Sequence, residues 1–323
     1  MCKGGTCLAQ QHNKFIYTFT CHEDELSLCR LEMRSLFGFD TDSSLIESTV
    51  KIDPSRSPFI NERIDVLYRA DSLADMAQQL MGLSIDGATF KVLFIEHADL
   101  AGYTKVSFDE RRKIEREIGQ QIIGKVDLVH PNLMFAIMKC QDSWVFGQYI
   151  KSESIWFLHQ TKPKNYSTAL STRVARAVVN IAVPEVDNNI KAIDPCCGSG
   201  TVLVEALSMG INIVGSDNNP LVCPIARENI AYFGLKGEVS LKDILDVTGF
   251  YDVAIIDMPY NLCSVLDPDK QLDMLRSARS FARKVVVVTI ETIDYLIEKA
   301  GFEIVDRGVA KKGSFTRQIL VCE

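Results

Sequence analysis

Asp257, Met258, Pro259 and Tyr260 follow the apolar run VAII (253–256) with no spacer. As an isolated stretch this is a turn signal, because Asp and Pro favour turns anywhere. The same residues can form the working edge of an active site, with a carboxylate and a neighbouring backbone carbonyl to accept N–H groups. Tyr260 then offers a face on which a base can stack. Two more acids occupy equivalent places: Asp194 ends IKAID and opens DPCCGSGT, and Asp217 ends INIVGSD. Gly198 and Gly200 let the chain turn tightly and bring backbone N–H groups close to a ligand. A helix starting near Thr201 aims its positive end at the same point. The dinucleotide fingerprint G-x-G-x-x-G needs a third glycine at 203, where Leu203 stands, so a dehydrogenase is disfavoured. Asp217 is placed to accept both hydroxyls of a ribose, and Asp243, in LKDILD, to reach an adenine ring. Singly, Asp194 could cap a helix and Asp243 shape a turn; their succession at strand ends favours a ligand site.

The elements that must position these residues are legible in the second half of the chain. STALSTRVARAVVNIA reads as an amphipathic helix opened by a Ser/Thr cap, GTVLVEALSMG and PLVCPIARENIAYFG as further helices, and IKAID, INIVGSD and YDVAIID as strands. Strands alternating with helices at this spacing predict a parallel sheet covered on both faces, with ligands beyond the carboxyl ends of its strands. Before residue 160 the pattern is irregular. KFIYTFT, ERIDVLYRA and KVLFIEH predict strands; residues 23–37, SLADMAQQLMG and DERRKIEREIGQQIIG predict helices; NLMFAIMKC and WVFGQYI predict a closing hairpin. This α+β half is expected to break into two subdomains near residue 71.

With 323 residues, 47% apolar and 24% charged, the chain is long enough for two cored domains and is not disordered in composition. No apolar stretch approaches the roughly 20 residues of a membrane span, and the first residues lack the apolar segment of a signal peptide, so a cytoplasmic protein is expected. The ten cysteines have neither disulfide-scaffold nor zinc-ligand spacing, which predicts reduced thiols and no metal. A net charge of −7 excludes a broadly basic nucleic-acid coat but leaves local stripes: Arg111, Arg112, Lys113 and Arg116 in RRKIER, Lys162 with Lys164, and Lys311 and Lys312 with Arg317. Such stripes can equally be solvated faces, with Arg111 and Arg112 pairing to Asp109, Glu110 or Glu115.

DPCCGSGT resembles the D-P-x-C-G-S-G-T motif of S-adenosylmethionine-dependent methyltransferases that act on exocyclic amino groups, and DMPY resembles their [N/D]-P-P-[Y/F] motif. Residues 162–182 are similar to the helix preceding the first strand in the family that joins a THUMP RNA-binding domain to such a methyltransferase, and residues 108–137 to the THUMP signature itself. The resemblance covers roughly residues 15–321. It implies a Rossmann-like α/β domain with a mostly parallel seven-stranded sheet at 153–323, an N-terminal ferredoxin-like subdomain at 14–70, a THUMP-like domain at 71–152 and a tail at 1–13. It further implies methyl transfer from S-adenosylmethionine to N2 of guanosine in tRNA. Asp257, Met258, Pro259 and Tyr260 would form the catalytic edge. Asp194, Cys196, Gly198, Ser199, Gly200, Thr201, Asp217, Asn218, Asp243, Ile244 and Tyr166 would hold the cofactor. Met258 replaces the family's first proline and Asn261 stands where glycine is commoner. Because the backbone carbonyl at 258 remains an acceptor whatever the side chain, Met258→Pro is expected to preserve activity. A DNA adenine-N6 methyltransferase and a noncatalytic RNA-binding protein that keeps the cofactor site remain as alternatives.

Overall fold

A computed structural model of the protein describes residues 14–97, 105–164, 169–187, 189–261, 264–265, 267–312 and 315–323. In chain order it carries β1 (Phe15–Phe19), α1 (Leu26–Phe37), β2 (Leu45–Ser48), β3 (Ile60–Ala70), α2 (Leu73–Leu80), β4 (Ser84–Ile95), α3 (Phe108–Gly119), β5 (Ile123–Val126), β6 (Leu133–Cys140) and β7 (Ser143–Lys151). There follow α4 (Ile155–Leu158), α5 (Thr172–Ala182), β8 (Ala192–Asp194), α6 (Thr201–Ser208), β9 (Ile213–Asp217), α7 (Val222–Tyr232), β10 (Glu238–Leu241) and β11 (Tyr251–Asp257). The chain ends with β12 (Tyr260–Asn261), β13 (Ser264–Val265), α8 (Pro268–Phe281), β14 (Ala282–Thr289), α9 (Asp294–Lys299), β15 (Ile304–Lys312) and β16 (Phe315–Cys322).

Two compact units are formed. The first comprises the chain up to Thr20, Thr41–Ser55 and Ile60–Glu153, and is built on one sheet ordered β2-β1-β3-β7-β6-β4-β5. Met76 and Leu80 of α2 and Ile114 and Ile118 of α3 bury against Phe90, Phe135 and Phe146 of this sheet. Both helices begin at a serine cap: Ser72 accepts from the Asp75 N–H and Ser107 from the Glu110 N–H, each satisfying an otherwise orphaned donor. The sheet passes through residue 71 without interruption, since β3 before that point pairs with β7 far beyond it. A break there is therefore not where the chain divides.

The second unit takes Cys21–Asp40, Arg56–Phe59 and Ser154–Glu323. Its sheet runs β10-β9-β8-β11-β14-β16-β15, with β10, β9, β8, β11 and β14 parallel and β16 antiparallel to both its neighbours. This is an α/β architecture on a mostly parallel seven-stranded sheet, as the resemblance implied. Alternate residues of β11 and β14 (Ala254, Ile256, Val285, Val287) bury against α8 and α9 through Leu272, Leu275, Phe281, Leu296 and Ile297. The helix α5 starts later than its sequence pattern predicts, at Thr172, because Ser171 rather than an earlier serine caps it by accepting from the Val174 N–H. α1 belongs here too. It packs on α5 and β15, and its Glu32 is wholly buried, accepting from Ser57 Oγ at 2.6 Å and Asn180 Nδ2 at 2.5 Å. Burial pushes that carboxyl up to about 7.

Candidate active site

The carboxyl ends of β8, β9 and β11 open on a cavity of about 890 Å³, at the point where the strand order reverses between β8 and β11. Its lining brings together Asp194, Cys196, Gly198, Ser199, Thr201, Asp217, Asn218, Asp243, Ile244, Asp257, Met258 and Pro259, residues drawn from sixty-odd positions of sequence.

The loop between β8 and α6 is held from several sides. Gly200 precedes α6 with φ +79°, a conformation that favours glycine, and a Cβ there would stand 3.1 Å from that of Ala226. Gly198 donates its N–H to Asp217 Oδ2 at 2.9 Å, and Asn219 donates to Asp217 Oδ1 at 2.9 Å. The carboxylate at the end of β9 is thus oriented by backbone donors, with remaining lone pairs free for a ligand's hydroxyls. Asp243 caps the 3-10 turn Ile244–Asp246 through the Leu245 N–H and also accepts from Asn218 Nδ2 at 2.8 Å, so it shapes a turn and fixes a cavity wall at once. Leu203, at the position of the missing third glycine, packs so closely on β9 that any Cβ at Gly215 would collide with it. The close helix–strand approach is kept, with the glycine moved onto the strand.

Asp194 is buried and accepts from the Cys196 N–H at 3.2 Å. Burial, reinforced by the charges of Asp257 and Asp217, holds its carboxyl well above the usual range. Burial also raises the Cys196 thiol, which leaves it inert rather than nucleophilic. Asp257 has an Oδ1 closed off from solvent with no hydrogen-bond partner; burial raises its carboxyl to about 7, against the opposing charge of Arg317. Met258 is buried, its side chain in the core beneath α8 and its N–H donated to the Val288 carbonyl at 2.9 Å. Pro259 is exposed, and the Tyr260 backbone pairs with Val265. The Tyr260 side chain and Tyr166 lie outside the described residues.

Several participants were not singled out from the sequence. Asp267, Lys270 and Asp273 of α8 and its N-cap complete the lining, so the described walls carry six aspartates and one lysine. Asn229 of α7 is fully buried. Its Nδ2 donates to the Ser199 carbonyl at 2.9 Å and the Lys164 carbonyl at 3.0 Å, and its Oδ1 accepts from the Lys164 N–H. The signal for it was present: position 229 falls on the buried helical stripe of Val222, Ala226 and Ile230. Glu205 of α6, also fully buried, accepts from Arg176 and pairs with His159.

The residues expected on RNA divide. Lys162 does not reach the surface: it is buried, donates to Thr201 Oγ1 at 2.6 Å, and burial lowers its ammonium below the usual lysine range. It secures the first turn of α6 instead of a phosphate. Lys164 is exposed. In the first unit Arg111 pairs with Glu96, not with a neighbour on its own helix, and Arg112 with Glu115 while lying over the Phe108 ring. Lys113 and Arg116 are exposed.

An acidic, water-accessible cavity with a glycine loop suits a ligand of positive charge carrying a ribose, and opposes a diphosphate. S-adenosylmethionine, with sulfonium, ammonium and ribose, fits these donors and acceptors. The sequence comparisons agree. The family model of the UPF0020, RMKL-like methyltransferase domain matches residues 159–283. The tRNA (guanine(10)-N2)-dimethyltransferase of Methanothermobacter thermautotrophicus is 26% identical over 252 residues, 71% of this chain and 69% of its own length. The enzyme of the same name from Methanocaldococcus jannaschii is 24% identical over 53% of this chain and 55% of its own. The tRNA (guanine(6)-N2)-methyltransferase of Archaeoglobus fulgidus is 22% identical over 80% and 78%. The solved structure of TrmN from Thermus thermophilus aligns with 96% of this chain and 99% of its own at 17% identity and a TM-score of 0.48. Residues 159–283 are thus similar to the methyltransferase domain of that family.

Proposed function

We propose that this methyltransferase acts on tRNA, transferring the methyl group of S-adenosylmethionine to the exocyclic N2 amine of guanosine. The observation that carries the reading is Asp257: a half-buried strand-end carboxyl that lines the cofactor cavity, with its enclosed Oδ1 left without a partner. An orphaned buried acceptor is costly unless a ligand donor completes it. An exocyclic amine supplies such a donor.

When bound, S-adenosylmethionine supplies an electrophilic methyl carbon. The guanine amine is a poor nucleophile because its lone pair is delocalised into the ring. The Asp257 carboxylate accepts one of its N–H groups and the Met258 carbonyl the other, which favours a pyramidal nitrogen aimed at the cofactor. The Met258 N–H bond to the Val288 carbonyl fixes the Asp257–Met258 peptide, the one immediately before the peptide that carries that carbonyl. Tyr260 stacks on the base once it has left its helix. A carboxyl near 7 is suited to take the proton from the methylated nitrogen. Asp217 holds the ribose, Asp243 and Ile244 the adenine side, and Gly198, Ser199, Gly200 and Thr201 shape the loop around the cofactor. Tyr166 remains a further cofactor candidate.

The first unit is a THUMP-like RNA-binding domain in this reading, with Lys113 and Arg116 its exposed phosphate candidates together with the salt-bridged Arg111 and Arg112; Lys164, exposed in the second unit, is a further candidate. Among the described residues no helix is long and apolar enough to cross a membrane, which suits an enzyme that works on tRNA in the cytoplasm. The test is incubation of the purified protein with total small RNA and labelled cofactor, followed by nucleoside analysis. Label in N2-methylated guanosine, absent with Asp257→Asn, is expected. Label in DNA as N6-methyladenine, or cofactor binding without transfer to any nucleic acid, refutes the reading.

A further inference from the structure

The end of the β15–β16 hairpin stands beside the catalytic edge, and neither the cofactor site nor the first unit accounts for it. Its place follows from register. Asp257 lies opposite Val288 of β14, and Val288 opposite Ile319 of β16, so the three form one row across the sheet. All three sit on the face away from α8 and α9, whose core takes the alternate residues Ile256, Val287 and Leu320. Because β16 is antiparallel, residues before Ile319 run on past the carboxyl edge. Arg317 and Phe315 therefore fall on the same face as Asp257. With strands about 4.8 Å apart and a rise of about 3.4 Å per residue, Arg317 is roughly 10 Å across and 7 Å outward from Asp257. Its charge is felt at that carboxyl. Phe315, one further step out, is 41% exposed.

The hairpin's root is fixed, while Lys311, Phe315 and Thr316 are exposed. Gln318 donates to the Glu291 carbonyl at 3.0 Å. On the other strand, α1 braces β15: Arg34 pairs with both oxygens of Asp306, Ser27 Oγ accepts from the Val309 N–H, and Gly308 admits Leu31 so closely that a Cβ would meet it at 2.9 Å. This explains why a helix from the first 40 residues is packed in the second unit. At the outer end Lys311, opposite Thr316, is exposed.

The cavity itself repels phosphate, its described lining holding six aspartates and one lysine. A nucleotide that enters base-first must leave its phosphates outside, where they need a cation. We propose that the end of this hairpin is the RNA clamp of the catalytic unit, with Arg317 binding the phosphate that adjoins the target nucleotide and Phe315 stacking an unpaired flanking base. The clamp rests on the RNA-methyltransferase reading above. Phosphate and stacking contacts of this kind are how single-stranded nucleic acid is held without sequence readout.

The experiment uses the full chain, with Arg317→Ala, Arg317→Lys and Phe315→Ala compared with wild type. Cofactor affinity is measured by calorimetry, tRNA binding across a salt series, and kcat and KM for tRNA by methyl incorporation. Arg317→Ala is expected to raise KM for tRNA roughly ten- to a hundred-fold and to make the log–log salt slope shallower by about 1, with Arg317→Lys restoring the slope. Phe315→Ala is expected to raise KM about ten-fold with the slope unchanged. Cofactor affinity is expected to hold in all three. Wild-type KM and slope in Arg317→Ala and Phe315→Ala overturn the clamp. If Arg317→Ala fails to fold, the exposed Phe315 decides alone. A wild type that binds tRNA but transfers no methyl group overturns the proposed reaction, and the binding data then judge the clamp.

Discussion

Replacing Asp257 by asparagine exchanges a carboxyl for an amide of the same shape, and so separates the charge of this strand end from its volume. Burial raises the carboxyl from an ordinary 3.8 to about 7, with Arg317 opposing the rise. The unfolded chain releases this proton near pH 4, whereas the folded protein keeps it until pH nears 7. Stability associated with the buried neutral carboxyl is therefore complete below pH 4 and is lost as pH rises through 7. The difference between 3.8 and about 7 corresponds to about 4 kcal/mol. Asparagine has no proton to release, so the variant should gain on wild type by up to that amount between pH 4 and pH 8. The assay is urea unfolding of both proteins over that range, with methyl transfer measured alongside. Wild-type kcat/KM, which reports the free protein, should fall about ten-fold per pH unit below 7 and level above it, since only the ionised carboxylate accepts the amine's N–H and takes its proton. The variant should be inactive throughout. Parallel stability curves for the two proteins, or a wild-type rate independent of pH between 5 and 7, would refute the buried-carboxylate argument.

Asp217→Ala removes the acceptor of the Gly198 and Asn219 N–H groups as well as the ribose contact, and should weaken cofactor binding by about 2–4 kcal/mol in calorimetry; unchanged affinity would exclude Asp217 from the cofactor. Met258→Pro loses the bond to Val288 and empties part of the core, so thermal unfolding should show a loss of about 2–4 kcal/mol, contrary to the neutral outcome expected from the backbone carbonyl alone. A variant as stable and active as wild type would restore the simpler view. Lys113→Ala/Arg116→Ala should flatten the salt dependence of tRNA binding more than Arg111→Ala/Arg112→Ala, because the latter arginines are already paired with Glu96 and Glu115; the reverse order in filter binding would show that those pairs open on RNA.

The edge of the cavity was legible because acids at the ends of apolar strands break a pattern that burial otherwise enforces. Asp194, Asp217 and Asp257 each do so, and the sheet brings all three to one cavity. Lys162 was not legible in the same way. A lysine flanked by Pro163 and Lys164 looks solvated, and only its meeting with Thr201, 39 residues on, makes it a buried donor. The domain boundary failed for a related reason. The helical period of α1 shows that one face is buried but not against what, and its partners α5 and β15 lie some 140 to 280 positions away. Met258 was judged by its carbonyl alone, although a methionine directly after a buried strand keeps that strand's alternation and joins the same core as Ala254 and Ile256.

Asp194 and Asp257 show how one acidic cavity can keep a carboxylate ready for use. Two ionised carboxylates close together in a buried site repel, and the more deeply buried one yields first by holding its proton. Asp194 is that group: it is fully enclosed, with one backbone N–H bonded to it, and both its burial and the charges of Asp257 and Asp217 favour the neutral form. Once neutral, it no longer opposes ionisation of Asp257, whose own rise stops near neutrality because Arg317 counters its burial. A cation entering the cavity favours ionisation of both groups. The ligand with a sulfonium centre thus helps generate the acceptor that the amine needs, while a phosphate entering the same space would suppress it. Charge around the site is unevenly placed: six aspartates and one lysine are in the cavity's described lining, while the exposed Lys311 and the half-buried Arg317 lie on the hairpin beside it.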